Sequence, residues 1–518
     1  MNIKYYLLSF IACFCLFSCV EDEGSYVEIP VNEISISGLD DSYAVIVGKT
    51  VLDIQPEIEG TIAGSDDSNY EYKWYVCKSD ITGDNHVHTF LADTKNLNQT
   101  IDGLAPGEYT LYFTLFDKST DIEWQSAAGL SIETELMKGF YILGDKEDGS
   151  VGIDFLSIST DTVVVKDIFT NSMGLQGAED LIFSGNYYNK ALQTLQLVTK
   201  SGSHRISSFI QEGSVFDVDP TQKDEYYYFP TMNVQRPMKV VDMFPRQGTA
   251  GTSWCRSYRG ILTEDAMFLN SVTGGESYGN PINRYSRYSE SLFRPYKTAF
   301  YNFYSYFGTV LYDLDSEAFV CTNSYALSAT NFRNMTDNST DIFPWHHDNR
   351  TIIYGENDAK SGKSYAVMKD KSDATKFYIY VFKIPNFSMN VSKLAAAEIN
   401  TSSVTDFGKA SHYTFYGNQS VVLYSVGSQL WGYNYATGAA PQMLNDFGSE
   451  ITYLRMEPIS SSSAIDFVVA TYDSTNKGKI YKYRMNDNPN TIEITPINNC
   501  EWSTELKVVK LEYRYSSF

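Results

Sequence analysis

Alternating hydrophobic and polar residues in the first third of the chain predict β-strands. In the segment 70–76 (YEYKWYV), two tyrosines and Trp74 fall on one face and Glu71 and Lys73 on the other. A Leu-Ala-Pro-Gly turn then leads into a second alternating segment, 108–117 (EYTLYFTLFD). Since a Trp-centred strand followed by a Pro-Gly-x-Tyr strand is typical of immunoglobulin-like domains, we expect residues 28–135 to form a β-sandwich.

The pattern changes at residue 136, where short apolar runs alternate with turns rich in Gly, Asn and Asp. The runs include 139–144, 191–199, 308–313, 364–368, 376–382, 421–424, 429–435, 466–472 and 478–484. Because strands paired in hairpins over such a length hide their edges best in a closed ring, residues 136–518 are predicted to form a β-propeller-like domain. No strict repeat period fixes the number of blades, and 392–399 is the one fair helix candidate.

Composition agrees with an all-β protein and excludes two classes. Hydrophobic residues make up 43% of the 518 residues and aromatic residues 15%, which is too apolar for a disordered chain. The 63 acidic side chains against 40 basic ones give a formal net charge of −23. This acidic balance argues against nucleic acid as a partner, since phosphates require a basic surface.

The N-terminus predicts export and lipidation. Lys4 precedes an apolar core from Tyr5 to Phe17, which is shorter than the about 20 residues that span a bilayer and is typical of a signal peptide, residues 1–18. The segment 16–19 (Leu-Phe-Ser-Cys) resembles a bacterial lipobox, which implies cleavage before Cys19 and acylation of its thiol by outer-membrane lipid. An ordinary secretory cleavage is the alternative. Residues 19–27 form an acidic tether that resembles the surface-export signal of Bacteroidetes lipoproteins.

A closer resemblance covers nearly the whole predicted sandwich. Residues 24–60, with Val31-Asn32-Glu33-Ile34-Ser35-Ile36-Ser37-Gly38 and Leu52-Asp53-Ile54-Gln55-Pro56, followed by Tyr72-Lys73-Trp74, resemble the PKD-like family lipoproteins of Bacteroidetes. The resemblance implies a lipoprotein on the outer surface, beside SusC/SusD-like uptake complexes. It brings no catalytic residues.

One segment stands out as a candidate binding surface. Ten of the 24 residues from 284 to 307 are aromatic, and arginines are interspersed among them. Aromatic rings stack on apolar ligand faces and arginine pairs with carboxylates, so the segment is a candidate ligand or partner site. The alternative is that many of these aromatics belong to a blade core. The candidate residues are Arg284, Tyr285, Arg287, Tyr288, Arg294 and Tyr296.

Motifs for metal binding and catalysis are missing from the sequence. Cys77, Cys255, Cys321 and Cys500 occur singly, which favours free thiols and gives no zinc spacing, and one disulfide is left open because an exported protein permits it. We expect no cofactor and no metal ligands, with a structural calcium ion left open at Asp/Asn-rich turns such as 145–149 and 337–341. No nucleophile motif is present, so we expect no catalytic residues. Asp154, Asp313 and Glu450 are the acids to examine first for glycoside hydrolysis.

Together these patterns predict a non-catalytic lipoprotein anchored in the outer membrane and facing the exterior. We expect it to capture a nutrient, either a glycan or an oligopeptide, or to dock on a SusC/SusD-like importer. The alternative is a surface glycoside hydrolase or lyase on a propeller scaffold.

Overall fold

The computed structural model describes most of the chain after residue 30. The described residues are 31–62, 64, 66–79, 87–158, 162–184, 194–206, 216–218, 232, 234, 238–244, 246, 258–271, 278–302, 308–325, 328–346, 349–385, 390–457, 466–486, 488 and 491–514. The signal peptide and Cys19 therefore lie outside them. The chain divides into two compact units, Met1–Glu133 and Thr134–Phe518. The boundary lies two residues before the one predicted from the sequence, between residues 135 and 136.

The first unit is a β-sandwich. Its large sheet has the strand order β2-β9-β8-β5-β6, in which only the β2–β9 pairing is parallel, and two strand pairs, β1–β4 and β3–β7, pack on it. Its strands are β1 (Ile34–Ser37), β2 (Ser42–Ile46), β3 (Val51–Ile54), β4 (Glu57–Gly60), β5 (Tyr70–Lys78), β6 (His88–Ala92), β7 (Leu97–Thr100), β8 (Gly107–Asp117) and β9 (Ile122–Glu133).

The sandwich core follows the alternation seen in the sequence. Tyr70, Tyr72 and Trp74 are all buried, and the Trp74 ring lies 4.6 Å from that of Phe113. The indole N–H of Trp74 donates to the carbonyl oxygen of Thr94 at 3.0 Å. Aromatic packing and this hydrogen bond thus stabilise the centre of the domain, where Cys77 is not part of a disulfide.

The described residues of the second unit form seven antiparallel sheets, whose strands follow the chain as a meander except that the last strand, β35, joins the first sheet. Two of them have three described strands and the others four. The sheets are β10 (Gly139–Asp145), β11 (Val151–Ser157) and β12 (Val163–Val165), joined by β35 (Lys507–Arg514); β13 (Ala178–Ser184), β14 (Thr194–Thr199) and β15 (Gly202–Ile206); β16 (Val240–Phe244), β17 (Tyr258–Thr263) and β18 (Met267–Ser271); β19 (Phe300–Tyr301), β20 (Thr309–Asp313), β21 (Ala318–Thr322) and β22 (Phe332–Asn334); β23 (Arg350–Asn357), β24 (Lys363–Asp370), β25 (Lys376–Lys383) and β26 (Ser392–Asn400); β27 (His412–Tyr416), β28 (Val421–Val426), β29 (Gln429–Asn434) and β30 (Gln442–Asp446); and β31 (Glu450–Met456), β32 (Asp466–Asp473), β33 (Lys477–Met485) and β34 (Ile494–Thr504).

The last strand closes these sheets into a ring. β35 pairs antiparallel with β10, with Leu511 opposite Ile142, and it contacts both β13 and β31. It is therefore the innermost strand of the first blade, although it comes from the C-terminal end of the chain. Contacts between the other innermost strands continue the ring: β13 with β16, β19 with β23, β23 with β27 and β27 with β31. Phe244 of β16 and Tyr301 of β19, whose rings lie 5.5 Å apart, link the third and fourth blades.

The described strands of the second unit thus form a β-propeller of seven blades, and the predicted all-β class is confirmed. Its hydrophobic clusters lie between neighbouring blades, as where Leu181 and Phe183 of β13 pack with Tyr141 and Phe155 of the first blade. Because both faces of a blade are covered, strands such as β11 are buried along their whole length. This explains why the propeller strands appear in the sequence as continuous apolar runs.

The helix expected at 392–399 is wrong. The segment forms strand β26, which pairs with β25 from Lys376 opposite Asn400 to Lys383 opposite Ser392. The three alanines favour a helix locally, but the edge of β25 needs backbone partners, and the segment's alternating exposed and half-buried residues suit a strand. The described helices are the single 3-10 turns Asp67–Asn69 and Phe407–Lys409. Among the described residues, no helix has the length and apolarity required to cross a membrane.

Candidate functional site

The predicted binding segment begins in the connection between β18 and β19. Tyr285 and Tyr288 are exposed there by 43% and 78%, respectively. The guanidinium carbon of Arg287 lies 4.6 Å from the centre of the Tyr288 ring, and its Nη2 also donates to the Tyr288 hydroxyl. We call these three exposed side chains the loop patch.

The polar groups of the other three candidates have partners within the protein, as does the hydroxyl of Tyr285, which donates to Asp313. Arg284 donates to the carbonyl oxygens of Ser289, at 3.0 Å, and Thr330, at 3.4 Å. Arg294 pairs with Asp315 at 2.7 Å.

Tyr296 is buried, and its hydroxyl donates to the carbonyl oxygen of Ile353 at 2.9 Å. Phe293, Phe300 and Tyr301 are buried in the inter-blade cores, as the alternative reading of this segment expected. Phe303, Tyr304, Tyr306 and Phe307 lie outside the described residues.

The same segment continues into a large cavity on the propeller axis. The cavity has a volume of about 840 Å³, and residues 295–298 line it just before β19 begins. Lys239, just before β16, and Glu264, in the β17–β18 turn, line it as well. In a meander, the connections that enter innermost strands and the turns between second and third strands lie at the same end of the blade. Tyr285 of the loop patch donates to Asp313, which begins the turn between β20 and β21, the second and third strands of the fourth blade. The cavity and the loop patch are therefore on the same face of the propeller.

A cluster of charged side chains forms the inner wall of this cavity. It lies in the centre of the ring and draws residues from strands hundreds of positions apart. The members that line the cavity are Asp180 of β13, Asp242 of β16, Arg246 just after β16, Glu356 of β23, Arg455 of β31 and Lys510 of β35. Glu512 of β35, which does not line this cavity but contacts Arg246 and Lys510, completes the set. We call this set the axial cluster.

Irregular strand pairing precedes the axial residues. The innermost strands of five blades carry a register shift, at residues 179, 241, 353, 452 and 509. A member of the axial cluster follows the shift directly in β13, β16 and β35, and lies three residues after it in β23 and β31. A β-bulge changes the direction in which the next side chains point. The bulges thus allow a polar residue to face the axis within a strand whose other residues are packed between blades.

Within the axial cluster, Arg246 and Lys510 are the cations that contact Asp180, Asp242 and Glu512. Arg246 lies 2.7 Å from Asp180 and 2.9 Å from Asp242, while Lys510 lies 3.1 Å from Asp180. Glu512 is 3.6 Å from Arg246 and 3.7 Å from Lys510, and its other carboxylate oxygen accepts the backbone N–H of Phe183 at 3.0 Å. These contacts tie the first three blades together.

Glu356 and Arg455 are the two remaining members of the axial cluster. Glu356 accepts hydrogen bonds from the hydroxyls of Tyr354, at 2.7 Å, and Thr414, at 3.0 Å. The Nε atom of Arg455 is 3.8 Å from Glu356, too far for a hydrogen bond. Blades five, six and seven meet here.

Burial and neighbouring charges shift the pKa values in opposite directions. Burial raises the pKa of the Asp242, Glu356 and Glu512 carboxyls above their ordinary values, despite the nearby cations. Burial also acts to raise the pKa of Asp180, but Arg246 and Lys510 together hold it well below the ordinary range. Asp180 is therefore the carboxylate of the cluster that is held most firmly in its ionised form.

A second cavity, of about 110 Å³, lies at the opposite end of the axis. The turns that leave the innermost strands line it, at residues 357–360 and 416–418. Arg246, Glu356, Asn357, Arg455 and Lys510 line both cavities. The axial cluster is therefore the wall at which the two cavities meet.

The acids that the sequence singled out lie elsewhere. Asp154 is buried and accepts the hydroxyl of Thr504 at 2.5 Å. Asp313 accepts the Tyr285 hydroxyl at 2.6 Å and organises the turn that follows β20. Glu450 pairs with Lys507 at 2.8 Å on the surface. These contacts support turn and edge roles for all three acids.

Sequence reasoning missed the axial cluster. The available signal was a charged residue inside a short apolar strand, as in 240–244 (VVDMF) and 508–513 (VVKLEY). Charged residues are rarely buried without a partner. The sequence could therefore have predicted that these residues contact one another inside the protein.

The turns considered for calcium are filled by protein groups where the structure describes them. Lys393 Nζ lies 2.6 Å from both Asp337 and Asp341. Asp148 accepts the hydroxyl of Ser150 at 2.6 Å in its own turn. Within the described part of the chain, no group of three or more His, Cys, Asp or Glu side chains is arranged to hold a metal ion.

The cysteines that the structure describes are not joined by disulfides. Cys77 and Cys321 are buried and Cys500 is half-buried, while Cys255 lies outside the described residues. Alternation would place His86 and His88 on one face of a strand; His86 lies outside the described residues, and the ring of exposed His88 lies 4.7 Å from that of Tyr75 on the sandwich sheet.

Comparison with known families supports part of the resemblance. Residues 19–179 match the PKD-like family, so the matched region covers the whole sandwich and the first three strands of the propeller. No curated protein matches the chain.

Several solved structures are similar to this chain at low identity. A quinonprotein alcohol dehydrogenase-like protein from Bacteroides thetaiotaomicron has 12% identity and a TM-score of 0.37 over 92% of this chain and 97% of its own. A hypothetical selenium-binding protein from Sulfolobus tokodaii has 8% identity and a TM-score of 0.44 over 74% and 95%. The β-propeller domain of Cps50 (Swd1) from Myceliophteria thermophila has 10% identity and a TM-score of 0.36 over 65% and 94%. The propeller assignment rests on the sheet order described above.

Proposed function

We propose that this protein is a non-catalytic lipoprotein, anchored by acylated Cys19 on the outer surface, whose propeller captures a nutrient ligand. The observation that carries the proposal is the position of the loop patch on the same face as the 840 Å³ axial cavity. A concave site with polar groups on its walls and exposed aromatic and arginine side chains beside it suits the capture of a polar ligand.

Glycans and oligopeptides both fit this chemistry. Tyr285 and Tyr288 offer ring faces, and Arg287 offers a guanidinium group next to them. Tethering to a membrane would allow modest contacts at one site to retain a polymer, because further copies of the protein lie close by. Docking on a SusC/SusD-like importer belongs to the same proposal, since a captured nutrient must be passed to a transporter.

Binding measurements on a triple variant test the proposal. The purified protein, from residue 20 onward, is compared with Tyr285→Ala/Arg287→Ala/Tyr288→Ala by affinity electrophoresis in soluble neutral and acidic polysaccharides and by calorimetry with oligopeptides. We expect the triple variant to bind about 30-fold more weakly than the unaltered protein, as for the loss of an interface anchor.

Phe90→Ala is the matched control, because Phe90 is 59% exposed but belongs to the sandwich. Equal affinity of the triple variant and this control would remove the loop patch from the site. New reducing ends or unsaturated products during incubation with the polysaccharides would instead support a hydrolase or lyase, and would contradict the non-catalytic proposal.

A further inference from the structure

Two guanidinium groups in the axial cluster have unused hydrogen-bond donors. Arg455 makes no hydrogen bond with any described residue, and the nearest carboxylate oxygen, on Glu356, is 3.8 Å from its Nε atom. Its side chain is 36% exposed although it lies at the centre of the ring, because it lines both cavities. An arginine in this position has room for a ligand rather than a protein partner.

Arg246 supplies the second unused donor. Its Nε and Nη2 atoms bond to Asp242 and Asp180, but Nη1 is buried without a hydrogen-bond acceptor among the described residues. Glu512 is 3.6 Å from this atom. A buried donor left in this way costs free energy unless an acceptor enters the site.

The charges around these groups permit an anionic ligand to approach. The large cavity is lined by five basic side chains, Lys239, Lys297, Arg246, Arg455 and Lys510, and by five acidic ones, Glu179, Asp180, Asp242, Glu264 and Glu356. The walls are therefore close to neutral as a whole. At the rim, Lys239 is paired with Glu179 at 2.6 Å, whereas Lys297 makes no ion pair with any described residue.

We propose that Arg455, assisted by Arg246, forms a binding site for the carboxylate of a small acidic ligand at the wall where the two cavities meet. The planar guanidinium fork offers two parallel N–H groups that match the two oxygens of a carboxylate. Glu356 leaves this fork available because its own oxygens already accept the hydroxyls of Tyr354 and Thr414. The inference rests on the proposed capture function and names the ligand group that the cavity selects.

Two sources of the carboxylate are to be distinguished, a sugar acid and an amino acid or peptide end. Calorimetry on the unaltered protein with galacturonate, galactose and alanyl-alanine separates the two sources. Galactose is the uncharged counterpart of galacturonate, because it carries a hydroxymethyl group in place of the carboxylate. We expect galacturonate or alanyl-alanine to bind at least 10-fold more tightly than galactose. Equal affinity for galactose and galacturonate, with no binding of alanyl-alanine, overturns the inference without the need for any variant.

Arg455→Gln tests the residue itself. We expect about 30-fold weaker binding of whichever carboxylate ligand binds, a loss similar to that of a charged hydrogen-bond pair. The control is Arg484→Gln, in the same blade, because Arg484 pairs with Asp466 at 2.7 Å and lines neither cavity. Arg455→Lys, which keeps the charge and removes the fork, should also weaken binding. Unchanged affinity in Arg455→Gln with an unaltered melting temperature overturns the inference.

These experiments distinguish failure of the carboxylate site from failure of the proposed function. If polysaccharide or oligopeptide binding depends on the loop patch but shows no preference for a carboxylate, the proposed function stands and this inference fails. If the unaltered protein binds neither the polymers nor the small ligands, both fail.

Discussion

At the scale of single residues, the axis of the propeller concentrates charge that a protein interior normally avoids. The carboxylates Asp180, Asp242, Glu356 and Glu512 lie among three cations, and each cation serves more than one blade. Such buried ion pairs contribute little net stability by themselves, but removal of one partner is costly because it leaves the other uncompensated. The charges of the axial cluster are therefore paired only when the blades are assembled correctly.

Asp180→Asn should destabilise the propeller at neutral pH by about 3 kcal/mol, because Arg246 and Lys510 then lose their common partner. The pKa of Asp180 is depressed in the folded protein. Its contribution is therefore present above the unfolded-state pKa of about 3.9 and is lost as the pH falls through the lower, folded-state value. Urea unfolding at pH 7 and pH 3 should show a large difference between variant and unaltered protein at pH 7 and a smaller one at pH 3.

Glu501→Gln serves as the control, since Glu501 is exposed and pairs with Lys479 on the surface. An equal loss of stability in Asp180→Asn at both pH values would contradict the role assigned to the ionised Asp180.

At the scale of elements, the strand that closes the ring has the greatest effect on the fold. β35 supplies the innermost position of the first blade, contacts β13 and β31, and carries two members of the axial cluster, Lys510 and Glu512. Without it, β10 would present an unpaired edge at the centre of the molecule, and the cores on either side would be open to water. The N-terminal strands of the propeller thus depend on residues more than 350 positions away.

Truncation after Thr504 removes β35 and should prevent stable folding of the propeller. We expect the variant to lose the cooperative thermal transition of the propeller and to be digested by trypsin within residues 134–504. Truncation after Arg514, which keeps the whole strand, is the matched control. A melting temperature of the shorter variant within a few degrees of the control would show that the ring does not need its closing strand.

At the scale of the whole molecule, the predicted anchor and the proposed binding site lie in different units. The PKD-like match includes Cys19, the tether and the sandwich, while the axial site lies in the propeller. The sequence predicts that the first unit carries the lipid anchor. Because two or more acyl chains hold a protein stably on a membrane, the propeller would then work as an immobilised binding surface.

Cys19→Ser should abolish lipid labelling. In cells fed with radiolabelled palmitate, we expect the unaltered chain to incorporate label and to fractionate with the outer membrane, and the variant to do neither, since serine has no thiol to acylate. Cys15→Ser is the control, because Cys15 lies inside the predicted signal peptide. Label retained in Cys19→Ser, or lost in Cys15→Ser alone, would contradict the predicted anchor.

Much of the fold could be predicted from local patterns. The segment 70–76 gave its own buried face, and the hairpin of β32 and β33 was evident from two apolar runs and the turn between them. The one helix expected, at 392–399, failed because the preference of alanine for helix is a local quantity, and pairing with β25 outweighs it. The candidate site was predicted in part: the sequence identified an exposed aromatic and arginine loop, but it could not tell Tyr285 from buried Tyr296.

The sequence by itself determined the all-β class, the sandwich-like first unit and the expectation of a lipid anchor, because each depends on the order of neighbouring residues. The tertiary structure alone decided the number of blades, the strand that closes the ring and the existence of the axial cluster. Arg246, Arg455 and Glu512 meet only because three blades place their innermost strands around one axis, after bulges that turn single side chains inward. Interactions between residues so far apart depend on closure of the whole ring, and no local pattern in the chain encodes that geometry.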